Sequence, residues 1–207
     1  MESEADVLYF GGSAGSGKSD LLLGAALTRH SRSIIFRREF NELEALEARC
    51  EEMIGSREGY NGQKHLWKLN VIGQDRRIEF GAMSRPGAEM SYRGRPHDLK
   101  AYDEIPEFTE HQFRFTSAWM RTTDPQQRCR VLVAGNPPMG QEQRWVISYF
   151  APWIDTNYSG IKALPGELRW YARGTDAYGR DIDIEVPRGT PGSKSRTFIP
   201  SLVYDNP

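Results

Sequence analysis

The segment from Gly11 to Ser19, written GGSAGSGKS, constrains this chain more than any other part of it. Four of its residues fit the phosphate-binding pattern G-x-x-x-x-G-K-S/T: Gly12, Gly17, Lys18 and Ser19. Glycines in such a loop permit a backbone whose successive N–H groups converge on phosphate oxygens. The apolar run VLYF at 7–10 precedes the loop, and the apolar stretch DLLLGAAL at 20–27 follows it. The sequence therefore predicts a buried strand, a phosphate loop and a buried helix, in that order.

The phosphate loop predicts which residues contact a bound nucleotide. Backbone amides and the positive end of the following helix would hold the phosphates. Lys18 is expected to reach the β- and γ-phosphates, and Ser19 to ligate Mg²⁺. The apolar run SIIF at 33–36 predicts a second strand, and Arg37 and its neighbour Arg38 follow it, where they would stack on adenine or pair with local acids. The full predicted nucleotide-binding set is Gly12, Ser13, Ala14, Gly15, Ser16, Gly17, Lys18, Ser19, Asp20 and Arg37. A chance glycine-rich turn is the alternative.

Two adjacent acids, Asp103 and Glu104, follow the short apolar strand that ends at Tyr102. Two carboxylates at a strand end are costly unless a cation or a reaction uses both. In P-loop NTPases an acid at the end of a buried strand holds magnesium, which predicts Asp103 as a metal ligand beside Ser19. Glu104 would then orient or deprotonate the attacking water. The pair predicts ATP hydrolysis with ATP and Mg²⁺ as cofactors, and a solvated acidic turn is the alternative.

Two further residues are candidates for the catalytic machinery. Asn136 follows the apolar strand at 130–134, the place of a side chain that senses the γ-phosphate, although Asn-Pro is also an ordinary turn initiator. Arg93 lies in an arginine- and glycine-rich segment and is the first choice for an arginine finger, with Arg95 in reserve. Solvated loop charge or contact with a DNA backbone would explain these arginines equally well. The predicted catalytic residues are Glu104, Lys18, Arg93 and Asn136.

Strand-like and helix-like segments alternate along the chain up to about residue 155. This alternation predicts an α/β fold with a mainly parallel central sheet flanked by helices. The catalytic glutamate assigns it to the P-loop NTPase division with an additional strand between the two motifs, for which the roughly 85 residues from Lys18 to Asp103 leave room. We predict one domain over 1–207, with a core at about 5–155 and a less regular C-terminal lid or linker at about 156–207.

Composition limits the classes of partner. The 207 residues, 38% hydrophobic and 27% charged, are typical of one soluble domain. A net charge of -1 and a pI of about 6.4 give no bulk basic excess, so any nucleic-acid contact must be local. Cys50 and Cys129 form no C-x-x-C pair, which argues against zinc and against a disulfide framework. No apolar run approaches the roughly 18 residues that cross a bilayer, so no membrane partner is expected.

Together these residues resemble the ATPase domain of the large terminase subunit, the motor that packages DNA into the heads of tailed phages. Five segments occur in the order of that family: GGSAGSGKS, YRGRPHD, AYDEIPE, VLVAGNPP and the closing SRTFIPSLVYDNP. The resemblance implies Lys18 and Ser19 on phosphate and magnesium, Asp103 on the metal and Glu104 as the catalytic base. It further implies that Asn136 couples hydrolysis to movement and that Arg93 acts on a neighbouring subunit.

The resemblance also implies partners and a location. Such motors form rings, commonly pentamers, that bind a portal protein and a small terminase subunit and translocate double-stranded DNA in the host cytoplasm. Family members carry a C-terminal nuclease domain, which is expected to be absent from this chain. The alternative function is a nucleotide-dependent binding or switch module with little hydrolysis. A small-molecule kinase fits the Asp-Glu pair poorly, and the LSGGQ and N-K-x-D signatures of cassette transporters and GTPases do not occur.

Overall fold

A computed structural model describes residues 3–13, 15–136, 138 and 140–201, and a ten-stranded mixed sheet runs through them. The strands are β1 (Val7–Gly12), β2 (Arg32–Arg37), β3 (Tyr60–Asn61), β4 (Leu66–Val71), β5 (Gln74–Ala82), β6 (Leu99–Tyr102), β7 (Arg130–Gly135), β8 (Arg169–Thr175), β9 (Asp181–Val186) and β10 (Lys194–Ser201). The α-helices of the described part are α1 (Lys18–Thr28), α2 (Leu43–Ile54), α3 (Glu110–Ser117), α4 (Arg144–Tyr149) and α5 (Ala151–Ile154). None of these helices has both the length and the apolar character needed to span a bilayer.

The order of the strands in the sheet is β3-β4-β5-β2-β6-β7-β1-β10-β8-β9. In this order the six neighbouring strands β5, β2, β6, β7, β1 and β10 run parallel. Antiparallel pairs extend the sheet at both ends. β7 lies between β1 and β6, so the predicted fold class with its additional strand is confirmed. That strand follows β6 in the chain, whereas the interval between Lys18 and Asp103 supplies β2 to β6. Strand order, rather than interval length, places the additional strand.

Both faces of the parallel strands are buried, because side chains alternate between them and helices cover each face. Leu8 packs on the side of α1 and α2, whereas its neighbour Tyr9 packs on the side of α3 and α4. The first core includes Leu22, Leu23, Ile35, Leu46, Cys50 and Leu132. The second core is rich in aromatic residues and includes Phe36, Tyr102, Phe113, Trp145 and Phe150. The near-continuous apolar runs of β1, β2 and β7 follow from this double burial.

Local signals in the sequence produce two of the observed elements. The T-x-x-Q pattern from Thr109 to Gln112 forms a capping box, since the Thr109 side chain accepts from the backbone N–H of Gln112 and the Gln112 side chain accepts in return from the backbone N–H of Thr109. The hairpin of β4 and β5 closes through Ile72 and Gly73, both with positive φ.

The C-terminal region contributes three strands to the sheet. β10 pairs with β1 in parallel register from Val7 opposite Arg196 to Gly12 opposite Ser201, so it belongs to the central sheet and not to a lid or linker. Its polar residues Ser195, Arg196 and Thr197 are buried, and each finds a side-chain or backbone partner. Because these residues are polar, the sequence did not predict β10 as a strand of the core. The predicted lid or linker remains a prediction for the irregular stretch 156–168, and residues 202–207 lie outside the described residues.

Candidate functional site

The carboxyl ends of β1, β6 and β7 lie side by side at one edge of the sheet, with β7 in the middle. The phosphate loop follows β1, the acid pair follows β6, and Asn136 follows β7. Parallel strands present the loops after their carboxyl ends at a shared edge, where open α/β sheets bind ligands. The sheet thus brings together the three sequence segments that were predicted to act together.

The phosphate loop turns into α1 through glycine backbones. Gly17 is the N-cap of α1, with φ of 73° and ψ of 21°, a left-handed conformation that glycine adopts without steric cost. The backbone N–H groups of the first turn of α1 are therefore directed toward the loop, as an anion site requires. Ala14, which was predicted to contact the nucleotide, lies outside the described residues.

The end of β10 braces the phosphate loop. The backbone N–H of Ser13 donates to the carbonyl of Ser201 at 3.2 Å, and the Ser16 hydroxyl donates to the Ser201 hydroxyl at 2.8 Å. A Cβ added at Gly12 would lie 1.9 Å from the Ser201 carbonyl oxygen. The close approach of these two backbones leaves no room for a side chain at position 12. Sequence reasoning missed Ser201, because its role follows from which strand lies beside β1.

The ammonium group of Lys18 connects the loop to Asn136. It donates to the carbonyl of Ser13 at 2.6 Å, to the carbonyl of Gly12 at 3.3 Å and to the Asn136 Oδ1 at 3.2 Å. The side chain is buried. A buried ammonium held by carbonyl oxygens is poised to exchange them for the charged oxygens of a phosphate, with which hydrogen bonds are stronger.

Asp103 lies at the centre of a buried polar cluster. Its Oδ2 accepts from the Ser19 hydroxyl at 2.8 Å and pairs with the guanidinium of Arg37, also at 2.8 Å. Arg37 therefore pairs with a local acid, which is one of the two roles that the sequence left open. A serine hydroxyl and a carboxylate are oxygen donors of the kind that Mg²⁺ prefers. These two side chains fit the predicted metal site.

Glu104 occupies a strained backbone position. Its φ of 57° and ψ of 59° are left-handed, which is uncommon for a residue with a side chain and is concentrated at functional sites. The turn brings its Oε2 to 3.3 Å from the backbone N–H of Asn136. A Cβ added at Gly135 would lie 3.1 Å from the Ile105 backbone nitrogen and 3.3 Å from the Glu104 Cα. Glycine at 135 therefore permits β7 to approach the acid turn.

Tyr9 holds the segment after β7 in place and was not predicted. Its hydroxyl donates to the carbonyl of Asn136 at 3.1 Å from a buried position in β1. Burial and the charge of Glu104 raise the pKa of Tyr9, so the phenol stays protonated and remains a donor. The signal in the sequence was a tyrosine within an otherwise apolar strand, which is not specific enough to assign a role.

Two predicted residues lie outside this cluster. The carboxylate of Asp20 accepts two hydrogen bonds from Arg49 of α2, at 2.8 and 2.7 Å, so it is engaged by a neighbouring helix. Arg93 is exposed, and its guanidinium has no partner among the described residues. Arg95, the reserve choice, lies 3.7 Å from Glu79 and over the ring of Tyr92.

Arg93 follows a residue that is anchored four strands away from β1, the strand that leads into the phosphate loop. The preceding residue, Tyr92, bonds through its hydroxyl to the backbone of Ala82 at the end of β5. β5 is separated from β1 by β2, β6 and β7. At about 4.8 Å per strand, β5 and β1 are about 19 Å apart. That span exceeds the reach of an arginine side chain.

The sheet order and the loops at its carboxyl edge define a P-loop NTPase fold of the additional-strand division. Solved structures with this architecture include the large terminase of the thermophilic bacteriophage D6E, which superposes with a TM-score of 0.59 at 12% identity over 98% of this chain and 42% of that one. A second crystal form of that terminase gives a TM-score of 0.55 at 12% identity, over 98% and 41% of the two chains. The chain thus spans about two fifths of the length of these structures.

At this identity the similarity establishes the fold, which is the one that the sequence resemblance implied. The complex of the same terminase with ADP gives a TM-score of only 0.46 at 14% identity over 64% of this chain and 33% of that one. No family model matches the sequence. No curated protein matches it either.

Proposed function

We propose that this chain is the ATPase part of a large terminase, which hydrolyses ATP to translocate double-stranded viral DNA into a procapsid. The observation that carries the proposal is the junction of Ser19 with Asp103 beside Glu104, at the edge where the phosphate loop opens. A metal-binding acid and a separate glutamate at that edge are the parts needed for hydrolysis by water. The fold shared with a phage large terminase supports the DNA-packaging role.

The residues divide the work of nucleotide binding. Loop amides and Lys18 would bind the phosphates, while Ser19 and Asp103 would hold Mg²⁺. When bound, the metal would supply charge neutralisation on the phosphate oxygens. Arg37 now pairs with Asp103, so its guanidinium sets how readily that carboxylate accepts a second cation.

Glu104 is the group that would orient and deprotonate the attacking water, because its carboxylate follows directly on the metal-binding acid. Asn136 touches both ends of the machinery, since its Oδ1 accepts from Lys18 and its N–H donates to Glu104. A phosphate that draws Lys18 away would therefore also change the support of Glu104. This double contact is the physical basis on which we assign Asn136 a coupling role between nucleotide state and movement.

Arg93 would complete the site of a neighbouring subunit. Three observations favour action in trans: Arg93 is exposed, it has no partner in the described chain, and the residue before it is anchored on β5, about 19 Å across the sheet from β1. The proposal therefore includes a homo-oligomeric ring, with a pentamer as the expected form. It also includes a portal protein and a small terminase subunit as partners, and the host cytoplasm as the location.

The first test replaces Glu104 by glutamine. We expect phosphate release to fall by about 10²- to 10⁴-fold while binding of a fluorescent ADP analogue stays within a few fold. Glu107→Gln is the matched control, because it removes an acid from the same turn, and it should retain turnover. Equal turnover in wild type and Glu104→Gln would remove Glu104 from the mechanism. Tight nucleotide binding without turnover at any protein concentration would favour the switch module instead.

The second test mixes subunits. A catalytically dead Glu104→Gln protein that keeps Arg93 is titrated into an Arg93→Ala protein that keeps Glu104. Action in trans predicts that the mixture hydrolyses ATP faster than either protein alone, because each variant supplies what the other lacks. Arg95→Ala should need no such rescue. A mixture no faster than the sum of its parts would exclude the trans assignment.

A further inference from the structure

Three basic side chains stand in a row across neighbouring strands. Arg32 of β2 lies directly opposite Arg77 of β5, and Arg77 lies directly opposite Lys68 of β4. Residues paired in this way share one face of a sheet, with about 5 Å between their strands. The row crosses the amino-terminal side of β2, the opposite edge from the phosphate loop.

This row is unfavourable for the isolated fold. Like charges directly opposite one another in a sheet are destabilising. Arg77 pairs with Glu79 at 2.8 Å, but the exposed side chains of Arg32 and Lys68 have no partner among the described residues. Two unpaired cations that flank a third indicate that an anion from outside the chain would find a ready site here.

The row lies in an open groove. One part of the groove, of about 630 Å³, runs from Ser31 past Lys68 to Asp75, and a second part, of about 300 Å³, runs from Arg77 to Arg95. The two parts share Arg32 and Arg77, and five cations line them against two acids. Burial opposes the charge of Glu79, but His97 and Arg77 lower its pKa to about 2, so this acid is already committed to its neighbours. The groove is a local basic surface on a chain whose net charge is -1.

We infer that this groove binds the phosphate backbone of duplex DNA. The inference rests on the proposed function, which requires a surface that holds DNA while nucleotide is turned over at the opposite edge. Adjacent cations on a sheet suit a repeating anion, and phosphate contacts require no base recognition. Among the described lining residues none is aromatic, whereas single-stranded nucleic acid is held by stacking on aromatic side chains. Duplex rather than single-stranded DNA is therefore the favoured occupant.

The test measures binding of a fluorescein-labelled duplex of arbitrary sequence by anisotropy across a series of salt concentrations. The variant carries Arg32→Gln and Lys68→Gln. The control carries Lys162→Gln and Arg188→Gln, two exposed residues in the segments before β8 and after β9, the strands at the other end of the sheet, with the same change in charge. For two lost phosphate contacts, the negative slope of log K against log salt should become shallower by about 1.8 in the variant. The control should keep the wild-type slope.

Three results would overturn the inference: an unchanged slope in the variant, an equal loss in the control, or polyglutamate competing for the wild type as well as unlabelled duplex does. The last result would point to an acidic protein surface as the partner. Thermal unfolding checks that every variant is folded. Binding of the fluorescent ADP analogue is measured on the same samples, so a failure of the nucleotide site would count against the proposed function and leave the groove to be judged on its own result.

Discussion

Replacing Arg37 by glutamine would leave the Asp103 carboxylate buried, with the Ser19 hydroxyl as its side-chain donor. Removing one partner of a buried ion pair costs about 3–5 kcal/mol, because the other charge loses its compensation. The Arg37 side chain is 21% exposed, which allows water to replace part of the interaction. We therefore expect the free energy of unfolding to fall by about 2–3 kcal/mol, below the range for a fully buried pair.

The same change should strengthen metal binding. A bound cation would compensate the charge of Asp103 in place of Arg37. The free energy of metal binding in the variant should therefore become more favourable by about the amount that its free energy of unfolding decreased. At 1.36 kcal/mol for each factor of ten, 2–3 kcal/mol corresponds to about 30- to 150-fold tighter Mg²⁺ binding in the presence of ADP. Urea unfolding with and without Mg²⁺ and ADP measures both effects on one protein.

Arg38→Gln is the matched control for this experiment. Arg38 is adjacent in sequence but donates to the Met83 carbonyl and to Gln112, with no contact to Asp103. Its loss should lower stability without altering the increment that Mg²⁺ adds. An Arg37→Gln protein as stable as wild type without metal, or one with the same metal increment as wild type, would refute the assigned role of the ion pair.

Burial lowers the pKa of Lys100 to about 8 despite the charge of Glu79. Between pH 8 and about 10.5 the unfolded chain therefore binds more protons than the folded protein, and the free energy of unfolding should rise with pH. Lys100→Met should abolish that rise and raise the melting temperature at pH 7. A Lys100→Met protein that melts lower than wild type at pH 7 would contradict this reasoning. Gly12→Ala should lower the free energy of unfolding in urea by about 1–3 kcal/mol, because the added Cβ would clash with the Ser201 carbonyl. The Cβ added by Gly24→Ala in α1 has no atom within 4 Å, so this control should raise the free energy of unfolding by about 0.5–1 kcal/mol. Equal effects at the two glycines would show that the loop does not rely on its contact with β10.

Much of the fold could be predicted from the sequence, because parallel strands that are buried on both faces consist of nearly continuous apolar residues. β1, β2 and β7 were predicted in this way. β10 was missed for the opposite reason, since its first residues are polar and gain their burial only by pairing with Asp6, Tyr149 and Glu167 across long sequence distances. A one-dimensional pattern does not contain those partners.

The candidate site divides along the same line. Lys18 and Ser19 were predictable because the loop and its helix are contiguous in sequence. The acid pair was predictable because two carboxylates at a strand end are costly unless a cation or a reaction uses them. The ion pair of Arg37 with Asp103 depends on β2 lying next to β6, and the bond from Tyr9 to Asn136 depends on β1 lying next to β7. Contacts of this second kind follow from lateral strand order, which the sequence does not state.

The parallel register of β10 on β1 has a mechanical consequence. Tension applied to the chain beyond Ser201 would load six paired positions in shear, so their hydrogen bonds would have to yield together and not one after another. The same residue bonds to the backbone of Ser13 and to the hydroxyl of Ser16. A pull at that point would reach the phosphate loop through two hydrogen bonds, which makes the end of β10 a short and stiff coupling between nucleotide chemistry and force.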